Sequence, residues 1–95
     1  MDTYIFRKMA YEGLGGILIW KLGVFPRKIY LDSVLGKDLG LDAVDMEDLA
    51  AAVEEKFKIS RNETARILTP QIKIESFVEF IAGKLRDFAE KKLDK

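Results

Sequence analysis

Residues 38–57 constrain the fold most strongly, because they specify a turn that leads into an amphipathic helix. Asp42 is a favourable N-cap residue, and Asp45 stands three positions later, which is the spacing of a capping box. Beyond them, apolar residues recur at helical spacing and predict a stripe that faces the core. This stripe consists of Val44, Leu49, Val53 and Phe57, with Ala50 and Ala52 beside it. We therefore expect a helix over 43–57.

The opposite face of this predicted helix is acidic. Its carboxylates are Glu47, Asp48, Glu54 and Glu55, and the first basic residue is Lys56. A helix-turn-helix interpretation fails, because a helix that meets DNA phosphates would carry positive charge here. A calcium-binding EF-hand fails as well, because residues 38–48 lack the alternating oxygen ligands and the central glycine.

Composition narrows the functional classes further. The 95 residues carry 16 basic and 16 acidic side chains, and this zero net charge favours neither nucleic acid nor a membrane surface as a partner. A hydrophobic content of 48% suffices for one core, so we expect a single domain over 1–95. Cys and His are absent from the sequence. The residues that most often serve as nucleophiles, acid–base catalysts and metal ligands are therefore missing. We therefore predict no catalytic residue and no metal site.

Three further helices are predicted, over 5–22, 61–68 and 74–92. The first has an apolar repeat every four residues at Phe6, Ala10, Leu14, Leu18 and Leu22, with Met9 and Ile17 alongside. Three glycines, Gly13, Gly15 and Gly16, predict a bend or close packing against another helix. Pro26 ends this region, and its apolar run over 14–25 is too short to span a bilayer.

The remaining elements follow from caps and anchors. Ser60 and Glu63 have capping-box spacing at the start of the short helix, and Pro70 stops it. The predicted inward residues of the last helix are Phe77, Ile81, Leu85 and Phe88. Those of the long first loop are Ile29, Leu31, Val34 and Leu35. The fold class is thus a small all-α bundle with three longer helices, one short helix and a long first loop.

The segments Asp38-Leu39-Gly40-Leu41-Asp42-Ala43-Val44 and Glu54-Glu55-Lys56-Phe57 resemble the signature of acyl carrier proteins. That signature is Asp-Leu-Gly-x-Asp-Ser-Leu followed by an acidic helix that ends in Glu-Glu-x-Phe. Leu22-Gly23-Val24 also resembles the end of the family's first helix. The resemblance is good over 14–57 and looser over 59–85. It implies a four-helix carrier rather than an enzyme, located in the cytoplasm, that serves fatty acid or polyketide biosynthesis and lipid metabolism.

One departure from the family pattern concerns the prosthetic group. The family's serine, which carries the 4'-phosphopantetheine arm, is replaced by Ala43 between Asp42 and Val44. An alanine has no oxygen with which to form the phosphodiester. We therefore expect no cofactor on the sequence as it stands, and 4'-phosphopantetheine if position 43 were Ser. Glu47 and Ala51 also replace larger apolar residues that line the partner face and acyl pocket in the family.

The resemblance further implies the partners. Phosphopantetheinyl transferase and acyl-transfer or synthase enzymes would dock on the acidic helix over 43–57. The residues expected to meet them are Asp45, Glu47, Asp48, Glu54 and Glu55. Neither nucleic acid nor a transmembrane segment is expected.

Three interpretations remain open from the sequence. The favoured one is an engineered Ser→Ala change that keeps a working carrier unmodified. The others are a natural carrier-like interaction module without a prosthetic group and an unrelated helical adaptor. Asp32-Ser33-Val34 imitates the attachment motif, but Gly36 and Gly40 follow too soon for Ser33 to open a long helix.

Overall fold

A computed structural model of the chain describes residues 3–93, which form an all-α bundle. The helices are α1 (Thr3–Gly16), α2 (Ala43–Phe57), α3 (Arg61–Ile67) and α4 (Ile74–Leu93). A π-helical segment, Ile17–Lys21, continues α1, and a short 3-10 turn, Pro26–Lys28, opens the first loop. The predicted fold class is confirmed, and α2 has the bounds expected from the sequence.

Two helix pairs build the core. α1 packs on α4, and α2 packs on α3 and on the π-helical segment. The large side chains buried where these elements meet include Leu14, Leu18, Leu49, Val53, Phe77 and Ile81. The four-residue repeat of α1 and the π-helical segment is therefore the basis of the core, although its last member, Leu22, is only partly buried.

The first helical region differs from the prediction at both ends. It begins at Thr3 rather than residue 5, and its hydrogen bonding changes at Ile17, where the amide of Leu22 donates to the Ile17 carbonyl at 3.2 Å. The region ends at Lys21 with Leu22 as its C-cap, one residue short of the prediction and well before Pro26. Gly23 follows with a φ of 70°, a conformation that glycine adopts readily. Gly13 accounts for the predicted close packing, because a Cβ there would overlap Cζ of Phe57.

The first loop is held by backbone pairing with the connection between α3 and α4. The amides of Leu35 and Gly36 donate to the carbonyls of Ile72 and Pro70 at 3.0 and 2.9 Å. In return, the amide of Ile74 donates to the Ser33 carbonyl at 2.9 Å. The predicted anchor Leu35 is fully buried. Leu31 is not an anchor, since 47% of its surface is exposed.

Ser33 has a structural role within this loop. Its hydroxyl donates to the Lys28 carbonyl at 2.7 Å and accepts from the Tyr30 amide at 3.0 Å. The side chain is 5% exposed. Both contacts use the hydroxyl to close a local turn, as serine side chains commonly do.

Three other residues predicted to face the core are exposed, namely Met9, Val44 and Phe88. Val44 precedes Leu49 by five positions, which places it about 140° away around the helix. Met46 takes its place, because it lies three positions before Leu49 and is buried. The second capping box is half formed. Ser60 accepts from the Glu63 amide at 3.4 Å, whereas the Glu63 carboxylate pairs with Lys84.

Replacing Leu49 by Ala is expected to lower the free energy of unfolding by about 2–5 kcal/mol, because the side chain is fully buried. Val44→Ala on the same helix is the matched control and should change it by less than about 0.5 kcal/mol. Chemical denaturation measures both. Equal losses would contradict the assignment of Val44 to the surface.

Alanine substitution at two glycines of α1 gives a second test of the packing. Gly15→Ala should raise the free energy of unfolding by about 1 kcal/mol, because the position is helical and no atom approaches within 4 Å of the new Cβ. Gly13→Ala should gain less or lose stability, because the Phe57 ring must move. A larger gain at Gly13 than at Gly15, in the same denaturation experiment, would refute the packing described above.

Candidate functional site

The start of α2 is a capped, exposed helix N-terminus. The Asp42 carboxylate accepts from the Asp45 amide at 2.9 Å, and the Asp45 carboxylate accepts from the Asp42 amide at 3.1 Å. The predicted capping box is therefore complete. Ala43, the first helical residue, is exposed beside Asp42, and Val44 is 64% exposed next to it. A side chain at position 43 thus stands at the positive end of the helix dipole with open access to solvent.

The segment before α2 explains the Asp-Leu-Gly part of the motif. The Asp38 carboxylate accepts from the Val34 amide at 2.7 Å, and the Asp38 amide donates to the Val34 carbonyl at 2.9 Å. Leu39 and Leu41 are buried, and Gly40 between them has a φ of 71°. This residue type is needed there, since other side chains rarely adopt that conformation. These contacts set the position at which α2 begins.

The five acidic residues predicted to meet partners fall into two groups. Asp45 and Glu54 are engaged within the molecule. Asp45 completes the cap, and Glu54 pairs with Arg61 of α3 through Nη2 and Oε1 at 3.1 Å. Glu47, Asp48 and Glu55 are exposed, and no hydrogen bond or ion pair from them is seen within residues 3–93. We call Glu47, Asp48 and Glu55 the acidic face.

A cavity of about 480 Å³ lies between α2 and α3. Its lining is apolar at Met46, Ala50, Ala65 and Leu68 and polar at Glu47 and Arg61. The Glu47 substitution noted in the sequence therefore borders this space. A carboxylate at its edge lowers the apolar character of the entrance.

Arg61 is the residue of this region that the sequence analysis missed. It lies seven positions after Glu54, beyond the end of α2. Lys58 adopts a left-handed conformation with φ of 61°, and this turn brings Arg61 back toward Glu54. A single sequence offers no signal for that contact, because the turn at Lys58 decides it and lysine is not a residue typical of such turns.

Within residues 3–93, every helix is either too short or too polar to cross a bilayer.

Comparison with known proteins completes the description. No family model matches the chain. The acyl carrier protein of Trieres chinensis is 44% identical over 56 residues, which is 59% of this chain and 70% of that protein. The acyl carrier protein of Phaeodactylum tricornutum is 38% identical over 53 residues, or 56% and 70% of the two chains. That of Campylobacter concisus is 35% identical over 50 residues, or 53% and 65%.

These relatives are named as carriers, in agreement with the prediction that the chain is not an enzyme. The matched segments cover more than two thirds of both the Trieres and the Phaeodactylum protein, at identities above 30%. The chain therefore belongs to the acyl carrier protein family.

Proposed function

We propose that residues 1–95 form one acyl carrier domain that docks on carrier-dependent enzymes through α2 and is kept unmodified by Ala43. The observation that carries this proposal is the exposed position 43 at the capped start of α2, directly after Asp42. It is the place where the family pattern has its attachment serine. The domain would have acyl groups as its cargo if that serine were present.

The residue at position 43 does not fit 4'-phosphopantetheine. Its side chain is a methyl group, and a phosphodiester requires a side-chain oxygen. The surroundings do fit, because the site is exposed and lies at a helix N-terminus, where backbone amides and the helix dipole favour a phosphate. This contrast between an unsuitable residue and a suitable setting favours an engineered Ser→Ala change.

The acidic face supports the choice of partners. Glu47, Asp48 and Glu55 present exposed carboxylates that form no ion pair in the described part of the chain. Such a surface attracts basic patches and gives fast, weak encounters. Phosphopantetheinyl transferase and acyl-transfer or synthase enzymes are the proposed partners, with Asp45 and Glu54 shaping the helix that they meet.

One observation favours a second candidate, a natural interaction module without a prosthetic group. Glu47 borders the cavity between α2 and α3, where an acyl chain would prefer an apolar wall. A domain that no longer shelters an acyl chain would tolerate this carboxylate. The two candidates share the docking surface and differ in whether position 43 can be restored.

Restoring a hydroxyl at position 43 distinguishes the two candidate functions. The Ala43→Ser protein, incubated with coenzyme A and a phosphopantetheinyl transferase, should gain the mass of one phosphopantetheine by intact-protein mass spectrometry. The fold should be nearly unchanged, because position 43 is exposed and a hydroxyl there reaches water.

The chain with Ala43 is the control and should gain no mass. A folded Ala43→Ser protein that several broad-specificity transferases leave unmodified would refute the working-carrier proposal in favour of the interaction module. Mass gained by the control would mean that another hydroxyl accepts the arm, and Ser33 would be tested first.

The acidic face is tested by charge reversal. Asp48→Lys together with Glu55→Lys should weaken binding to a phosphopantetheinyl transferase, measured by calorimetry, because like charges would meet. The loss should be larger at 0.1 M salt, where the Debye length is about 10 Å, than at 1 M, where it is about 3 Å.

The matched control reverses two exposed carboxylates of α4, Asp87→Lys and Glu90→Lys, and should leave binding intact. Thermal unfolding of both double variants should stay close to that of the parent. Equal weakening by the two pairs would show a general charge effect and no docking through α2.

A further inference from the structure

The exposed carboxylates of α2 form two rows along the helix. Glu47 and Glu54 are seven positions apart, which brings them within about 20° of each other around the helix axis. Asp48 and Glu55 have the same spacing and lie about 100° further round. Glu47 borders the cavity between α2 and α3, and Glu54 pairs with Arg61. The first row is therefore the one that faces α3.

Arg61 holds Glu54 with two N–H groups. Its Nε donates to Oε1 of Glu54 at 3.2 Å, and its Nη2 lies 3.1 Å from the same oxygen. Arg61 also borders the cavity beside Glu47, but no ion pair joins these two residues. Of the two carboxylates in the row, the guanidinium is thus committed to Glu54.

The other charged residues of α3 do not pair with α2. Glu63 pairs with Lys84 of α4. Arg66 is exposed and forms no ion pair in the described part of the chain. Arg61 is therefore the residue of α3 whose charge opposes a carboxylate of α2, and Arg66 is an arginine of the same helix that lacks this contact.

The Arg61–Glu54 pair is open to exchange with another protein. The two side chains are 59% and 44% accessible, so a cation from outside can reach the carboxylate. Ion pairs as exposed as this one contribute little to folding, because water competes for both partners. An enzyme that brings a Lys or Arg side chain to Glu54 must nevertheless displace a cation that the chain already supplies, and the loss of that pair lowers its net gain.

We propose that Arg61 is an intramolecular competitor for the basic side chains of carrier-dependent enzymes and lowers their affinity for α2. The partner is an enzyme surface whose Lys or Arg side chain takes the place of the Arg61 guanidinium at Glu54. This inference rests on the proposed function and adds to it a residue of α3, outside the carrier motif, that limits how tightly the enzymes bind.

Removing the charge of Arg61 tests the competition. Arg61→Gln should lower the dissociation constant for a phosphopantetheinyl transferase about fivefold, measured by calorimetry without coenzyme A at about 0.1 M salt. A change of this size corresponds to one exposed ion pair that the enzyme gains without displacing another. The gain should diminish at about 1 M salt, where the attraction between the charges is screened.

Two matched variants show whether the gain passes through Glu54. Arg66→Gln removes the same charge from the same helix and leaves the Arg61–Glu54 pair in place, so it should change the dissociation constant by less than about twofold. Glu54→Gln added to Arg61→Gln should return binding to within about twofold of the parent. Thermal unfolding of Arg61→Gln should stay close to that of the parent, because the pair is exposed.

The remaining outcomes are distinguishable. A transferase that binds the parent but binds Arg61→Gln no more tightly, or gains equally from Arg66→Gln, would overturn this inference alone. Weaker binding of Arg61→Gln would show that Arg61 itself contacts the enzyme, and a marked loss of thermal stability would show that the pair holds α3 in place. Either result would also overturn the competition. No binding of the parent to any transferase tested would overturn the proposed function and the inference with it.

Discussion

Backbone pairing between the first loop and the connection from α3 to α4 is the constraint on which the rest of the structure depends. Residues 29–42 contain two turns and a single β-bridge from Val34 to Lys73, with no helix, yet they position the start of α2 in the bundle. Hydrogen bonds from Leu35 and Gly36 to the carbonyls of Ile72 and Pro70 satisfy groups that would otherwise face the core. Gly36 is needed because a Cβ there would lie 2.9 Å from Pro70. Without this pairing, the capped start of α2 would have no defined place.

The carboxylates of α2 illustrate how one acidic helix can serve two purposes. Asp45 and Glu54 bond within the molecule, where they hold the first turn and the neighbouring helix α3. Ion pairs as exposed as that of Glu54 with Arg61 contribute little to stability. Arg61 pairs with Glu54, whereas Asp48 and Glu55 form no ion pair within residues 3–93.

Family membership and the chemistry at position 43 are separate matters. The fold, the cap and the exposed site follow from residues around Ala43, and these are arranged as a carrier needs. The covalent arm depends on one oxygen atom that alanine lacks. A substitution at this first helical position is expected to change chemistry with little effect on packing, since the side chain at position 43 is exposed.

The sequence by itself determined the local features of this protein. The cap at Asp42, the bounds of α2 and the buried repeat of α1 follow from hydrogen bonding and periodicity within a few residues. Tertiary structure decided the rest, because it depends on contacts between distant segments. Arg61 returns to Glu54, and the π-helical segment presents Trp20 beside α2. Neither of these can be read from neighbouring residues, since each is set by how one helix packs against another or by the turn that joins two of them.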